Sequence, residues 1–127
     1  MGMRSYNRGK MAEKLAIKYV ERLGYSLVCS NWTCRYGELD IVGQMGDKIT
    51  FFEVKYRTND NYGAVFDAFN ADKIRKLRKA INCFFQQYNY FYSSCNLTWT
   101  LDGLCIFPSR KERGKYNVEH ISNILDT

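Results

Sequence analysis

Residues 37–56 read GELDIVGQMGDKITFFEVKY. Two runs rich in β-branched and aromatic residues are separated by Gly46-Asp47, a two-residue hairpin turn. Such a turn fixes the pairing of the strands on either side of it. Met45 is expected opposite Lys48, Ile41 opposite Phe52, Leu39 opposite Val54, Asp40 opposite Glu53 and Glu38 opposite Lys55. Side chains alternate along a strand, so Glu38, Asp40, Glu53 and Lys55 are predicted to share one face. A slip by one residue would set Asp40 against an aromatic ring.

That register raises a chemical question. Two carboxylates directly across a strand pair repel, at a cost of up to roughly 1 kcal/mol when exposed and more when buried. A hard divalent cation would offset the repulsion, since Mg²⁺ takes oxygen ligands and is often held by one or two carboxylates. Lys55 adds a positive charge beside the same spot. Paired acids with a neighbouring lysine suit metal-assisted hydrolysis of a phosphodiester. The metal activates a water, and the lysine orients it or stabilises developing negative charge. The bland reading is a solvated sheet face laced with ion pairs, and Glu-x-Lys alone does not separate the two.

The rest of the chain supplies the frame. Ala12, Leu15, Ala16, Tyr19, Val20 and Leu23 recur at helical spacing, predicting a helix over 10–23 that stops at Gly24. At roughly 100° per residue, Glu13 falls beside Val20 at the rim of the apolar stripe. Strands are expected over 25–32, 37–43, 49–56, 97–107 and 116–121. A second helix over 71–90 is expected behind Asn70 as N-cap, with Ile74, Leu77, Ile81, Phe84 and Tyr88 at helical spacing. Residues 57–69 read as a loop that could gate the site. The order α-β-β-β-α-β-β predicts a single α/β or α+β domain with one sheet flanked by helices.

The chain has 127 residues and a formal charge of +6, which favours an anionic partner, nucleic acid first and membrane surface second. Lys73, Arg75, Lys76, Arg78 and Lys79 crowd the start of the second helix. Lys73, Lys76 and Arg57 are the residues expected to meet phosphates. The five cysteines include no CxxC, so neither a disulfide framework nor a zinc site is indicated, and free thiols fit a cytoplasmic protein. No apolar run is long enough to span a membrane. There is no P-loop or GxGxxG, so no nucleotide cofactor is expected. His120, the single histidine, reads as a structural or surface residue. The aromatic cluster over 84–92 reads as core or as a dimer face.

The ordered set of residues carries a resemblance. Asp40 with Glu53-Val54-Lys55 resembles the bipartite PD-(D/E)xK motif of restriction-endonuclease-like nucleases. Several other residues fall in order: Gly9, Ala12-Glu13, Ala16, Asn31-Trp32, Gly37-Glu38-Leu39, Arg57, Gly63, Lys73, Leu101-Asp102 and Glu119-His120-Ile121. With these the chain looks like the YraN-like family of uncharacterised bacterial proteins. That family is similar in fold to archaeal Holliday-junction resolvases. The resemblance spans roughly residues 6–125. It implies an αβββαβ core, with Asp40, Glu53, Glu13 and the Val54 carbonyl on Mg²⁺ (or Mn²⁺) and Lys55 as the catalytic lysine. No proline precedes Asp40; Leu39 stands there.

The expected function is therefore a metal-dependent endonuclease acting on DNA, with branched or structured DNA as a candidate substrate. A homodimer with two sites would suit a symmetric branched substrate. The alternative is a catalytically silent nucleic-acid-binding or scaffold module that keeps the fold.

Overall fold

The computed structural model describes residues 2–58, 69–92 and 96–126. The expected loop over 57–69 therefore lies largely outside the described residues, as do Gly63 and Cys95. The elements are α1 (Gly2–Arg22), β1 (Ser26–Cys34), β2 (Gly37–Met45), β3 (Lys48–Tyr56), α2 (Ala71–Gln87), a short α3 (Asn89–Tyr92), β4 (Thr98–Pro108), β5 (Tyr116–Ile121) and a 3₁₀ turn (Ile124–Asp126). The expected order of helices and strands holds. Helix α1 begins at Gly2 rather than at residue 10, because backbone bonding carries a helix beyond its buried stripe. The predicted second helix ends at Gln87, with α3 as a separate turn.

Helix α1 stops where a left-handed residue becomes available. Gly24 has φ +106°, its N–H donates to Glu21 O (3.0 Å), and the Tyr25 N–H donates to Val20 O (3.3 Å). These are the paired bonds of a Schellman cap, and Tyr25 and Val20 share one apolar cluster beneath it. Helix α2 starts at Asn70, whose side chain accepts from the Lys73 N–H at 2.9 Å, as expected of an N-cap.

The five strands form one mixed sheet in the order β1-β2-β3-β4-β5. Neighbours are antiparallel except β3 and β4, which run parallel across the α2 crossover. Helix α1 lies on one face, where Ala12, Ala16 and Val20 meet Ile41, Phe52, Leu104 and Ile106. Helix α2 covers the other, where Ile74, Leu77, Ile81 and Phe84 meet Val42, Ile49, Phe51 and Leu101. Phe51 and Phe52 are consecutive, face opposite helices, and are each 1% exposed. That explains the unbroken apolar run in β3, since a strand covered on both faces has no side to leave polar.

Gly103, opposite Glu53 in the parallel β3–β4 pair, marks a close approach. A Cβ there would lie 2.7 Å from the Phe69 ring. Only glycine lets that ring settle over the strand. Among the described residues no helix is long and apolar enough to cross a membrane.

Candidate active site

The hairpin has the expected register from the turn outward: Met45 pairs with Lys48, and Ile41 with Phe52. There the ladder ends, one pair short of Asp40 and Glu53. Beyond that point β2 stays with β1, through Trp32–Leu39 and Thr33–Glu38. Strand β3 stays with β4, from Glu53–Gly103 to Tyr56–Ile106. The two central strands part like a fork. Asp40 stands at the split and its Oδ2 accepts from the Val54 N–H at 2.8 Å. A side-chain carboxylate has taken the place of a ladder carbonyl.

The fork corrects two expectations. The expected Glu38–Lys55 pair does not form, because the β2–β3 ladder ends at Ile41–Phe52; Glu38 keeps only its β1 partner, Thr33. Leu39 packs in the α2-side core while Val54 packs toward α1, so they are not a cross-strand pair. A pairing extrapolated from the turn holds only while β2 and β3 remain hydrogen-bonded, and past Ile41–Phe52 they diverge.

Glu53 is 4% exposed, held on the α2 side of β3 in line with Phe51. Its Oε1 lies 3.6 Å from Lys55 Nζ and 3.8 Å from Lys73 Nζ. Its Oε2 is buried with no hydrogen-bond partner. Burial pushes the Glu53 carboxyl up to about 8. The nearby Asp40 carboxylate adds to the rise, and Lys73 and Lys55 oppose it. Asp40 also raises it by favouring the protonated form of Glu53 over the charged one. Glu38 is also raised, first by burial and then by Asp40 and Glu13, with Lys73 pulling the other way.

Glu13 reaches the fork from the opposite layer. It lines a cavity of about 140 Å³ with Gly9, Ala12, Asn31, Asp40, Val54 and Tyr56. Its Oε1 accepts from Asn31 Nδ2 at 2.5 Å. Asn31 has φ +52°, a left-handed conformation inside an extended strand that asparagine tolerates better than most residues.

Most of the expected site residues come together. Asp40, Glu53, Val54, Glu13, Lys55 and Lys73 gather around the fork. Arg57 lies near, since it and Lys55 both act electrostatically on the Cys105 thiol, and its Nη1 donates to Tyr56 O at 3.2 Å. Lys76 is not part of the group; it faces Asp72 at 3.9 Å on the exposed side of α2. Asn31 and the Phe69–Gly103 contact went unassigned by the sequence. A strand-interior glycine was a readable signal for the second, but nothing in the sequence announces a left-handed Asn31.

The residue types suit a hard cation. The buried Glu53 Oε2 lacks any partner, and burial makes its negative charge costly. No three His, Cys, Asp or Glu side chains among the described residues form a ready-made cage. Mg²⁺ tolerates this, because it keeps several waters and is usually held by one or two carboxylates.

His120 proves to be a junction. Its Nδ1 meets the Tyr19 hydroxyl at 2.9 Å and its Nε2 meets Asp102 Oδ2 at 2.8 Å. Asp102 also accepts from the Asn123 N–H at 2.9 Å and the Thr100 hydroxyl at 3.2 Å. Burial alone would raise the Asp102 carboxyl; the bonds from His120, Asn123 and Thr100 more than reverse this and hold it below its ordinary value. The chain of bonds ties α1 to β4 and β5.

The model of the uncharacterised protein family UPF0102 matches residues 12–106. The chain belongs to the UPF0102 family. This bears out the YraN-like resemblance. A UPF0102 protein of Mycolicibacterium vanbaalenii is 44% identical over 71 residues, 56% of this chain and 59% of the relative. One from Psychromonas ingrahamii is 40% identical over 73 residues, 58% of this chain and 60% of the relative. One from Neisseria meningitidis serogroup B is 32% identical over 114 residues, 90% of this chain and 96% of the relative. The chain thus spans about three fifths of the first two relatives and nearly all of the third. The whole fork, from Glu13 to Lys73 and Gly103, lies inside the stretch that defines UPF0102.

Proposed function

We propose that this UPF0102 chain is a divalent-metal-dependent endonuclease that hydrolyses phosphodiester bonds in DNA, with branched or structured DNA as the preferred substrate class. The observation that carries the reading is Glu53. A buried carboxylate with an unpartnered oxygen, beside a second carboxylate and two lysines, is unfavourable unless a cation joins it.

Asp40, Glu53 and the Val54 carbonyl would hold Mg²⁺ or Mn²⁺, with Glu13 at the far rim of the cavity. When bound, the ion supplies Lewis acidity toward the phosphate and acidifies a bound water. The chain's own residues do the remainder. Asp40, anchored on the Val54 N–H, presents a fixed carboxylate at the fork. Lys55 carries its ammonium at the side of Glu53, where it orients the attacking water or stabilises charge on the phosphate. Lys73 adds a second cation from α2. The bond from Asn31 holds Glu13 toward the cavity.

The test is cleavage of linear duplex, single strand, flap and four-way junction, with Mg²⁺ or Mn²⁺ and with EDTA, beside Lys55→Ala. The expected result is metal-dependent cutting that Lys55→Ala loses, strongest on the branched substrates. Cutting that survives in Lys55→Ala would reject the assigned site. Salt-sensitive binding with no cutting under any metal would favour the silent binding module instead.

A further inference from the structure

We infer that α1 carries a second nucleic-acid contact, a cationic ridge of Lys14, Lys18 and Arg22 continuing from Lys10, that tracks the phosphodiester backbone of the strand leaving the fork. The inference rests on the nucleic-acid reading of the site.

The ridge comes from helix geometry. Lys10, Lys14, Lys18 and Arg22 recur every fourth residue, and all four are exposed. Four residues rise about 6 Å, and rows of every fourth residue are inclined by roughly 26° to the helix axis, so the charges form a ridge that winds gradually round the helix. That step is commensurate with successive phosphates of one strand. Like charges at this spacing repel, so the row is unfavourable in the free protein and favourable on a polyanion. Lys10, Met11, Lys14, Leu15 and Lys18 line a surface hollow of about 430 Å³.

The charges are available. Among the described residues Lys14, Lys18 and Arg22 make no ion pair, and neither does Glu21 on the same helix. Helix α2 differs, since Lys73 faces Glu53, Arg75 and Lys76 face Asp72, and Lys79 lies over the Tyr36 ring. The basic cluster that stands out in the sequence is thus largely engaged within the molecule, whereas Lys14, Lys18 and Arg22 on α1 are not.

The position is right. Gly9 and Glu13 line the fork cavity, and Lys10 comes directly after Gly9. Lys10 and Glu13, three apart, are neighbours on the helix surface. The row therefore starts at the lip of the site and runs away from it on the solvent side. A strand entering the cavity beside Gly9 and Glu13 would meet the row at its Lys10 end.

The experiment uses the full chain in EDTA, where binding is read without cutting. Fluorescence anisotropy tracks duplex DNA, four-way junction and duplex RNA across a salt series, for wild type and for Lys14→Gln/Lys18→Gln. Each lost phosphate contact lowers the slope of log affinity against log salt by about 0.9 on duplex DNA, so the double variant should lose about 1.8. An equal loss on RNA assigns the contact to the backbone common to both acids; a loss confined to DNA assigns it to DNA. Thermal melting of the variant should match wild type, because both lysines are exposed. An unchanged slope, or no binding by wild type, would overturn the ridge. In a parallel arm with phosphatidylserine vesicles across the same salt series, a loss of binding by the variant seen there and on no nucleic acid would also overturn it, assigning the row to a membrane surface. Metal-dependent cutting, scored separately, distinguishes the two readings: cutting with an unaltered variant slope rejects the ridge alone, and ridge-dependent binding without cutting rejects the nuclease alone.

Discussion

Glu53→Gln should make the metal-free protein more stable, although it removes the residue on which the proposed activity depends. Glu53 titrates near 8 in the folded chain against an ordinary 4.5. A raised carboxyl contributes stability that is fully present below its unfolded value and is lost as pH rises through its folded value. At pH 7 the unfolded chain is ionised and the folded one is held protonated. The folded state then forgoes about 3 kcal/mol relative to acid pH, at 1.36 kcal/mol per unit over the interval from 4.5 to 7. Glutamine reproduces the protonated carboxyl, with an N–H for the Asp40 carboxylate and an oxygen left toward Lys55 and Lys73. Those two ion pairs are long and partly exposed, so their loss subtracts little. The expected gain at pH 7 in EDTA is about 1–3 kcal/mol, a rise in Tm of roughly 3–15 °C for a chain of this size. The assay is urea or thermal unfolding of both proteins from pH 4 to 9. The two curves should meet near pH 4 and separate until about pH 8. Mg²⁺ should then stabilise wild type and leave the variant unmoved. A variant less stable than wild type at pH 7, or a difference flat across the range, would refute the reasoning.

Two further changes test the frame around the site. Gly103→Ala places a methyl 2.7 Å from the Phe69 ring, so the ring must move; unfolding should show a loss of about 1–3 kcal/mol. Asp102→Asn weakens the bonds from His120 and Asn123, with an expected cost of about 1–3 kcal/mol near neutral pH. Because the Asp102 carboxyl is depressed, its contribution is present above the unfolded value of 3.8 and fades as pH falls through its lower folded value. The variant and wild type should therefore converge in strong acid, as measured by acid unfolding.

The parts of the molecule governed by local rules were legible in the sequence. Gly46-Asp47 set the hairpin, Asn70 capped α2, and Gly24 ended α1, each through backbone chemistry that one or two residues decide. The meeting of Asp40 with Glu53 was legible for the same reason, since a register fixed at the turn persists as far as Ile41 and Phe52. The divergence past that pair was not legible. The parting of β2 and β3 depends on each strand's other neighbour, and alternation misassigns Leu39 once the ladder ends. Lys73 and Lys76 look alike in sequence. Only the direction of α2 against the sheet sends one to Glu53 and the other to Asp72. His120 reads as an ordinary lone histidine because its partners, Tyr19 and Asp102, lie 101 and 18 residues away.

The split between β2 and β3 has one more consequence. A continuous sheet is a wall, and side chains from its two sides do not mix. Here the wall has a window, so Glu13 arrives from the α1 layer and Lys73 from the α2 layer. The negative and positive flanks of the site are thus hung on separate supports, each with its own apolar core. Loosening one support would unbalance the charge at the window while leaving Asp40, Glu53 and Lys55 in place, so the site's appetite for a cation can be tuned from either side of the sheet without altering the residues that would hold it.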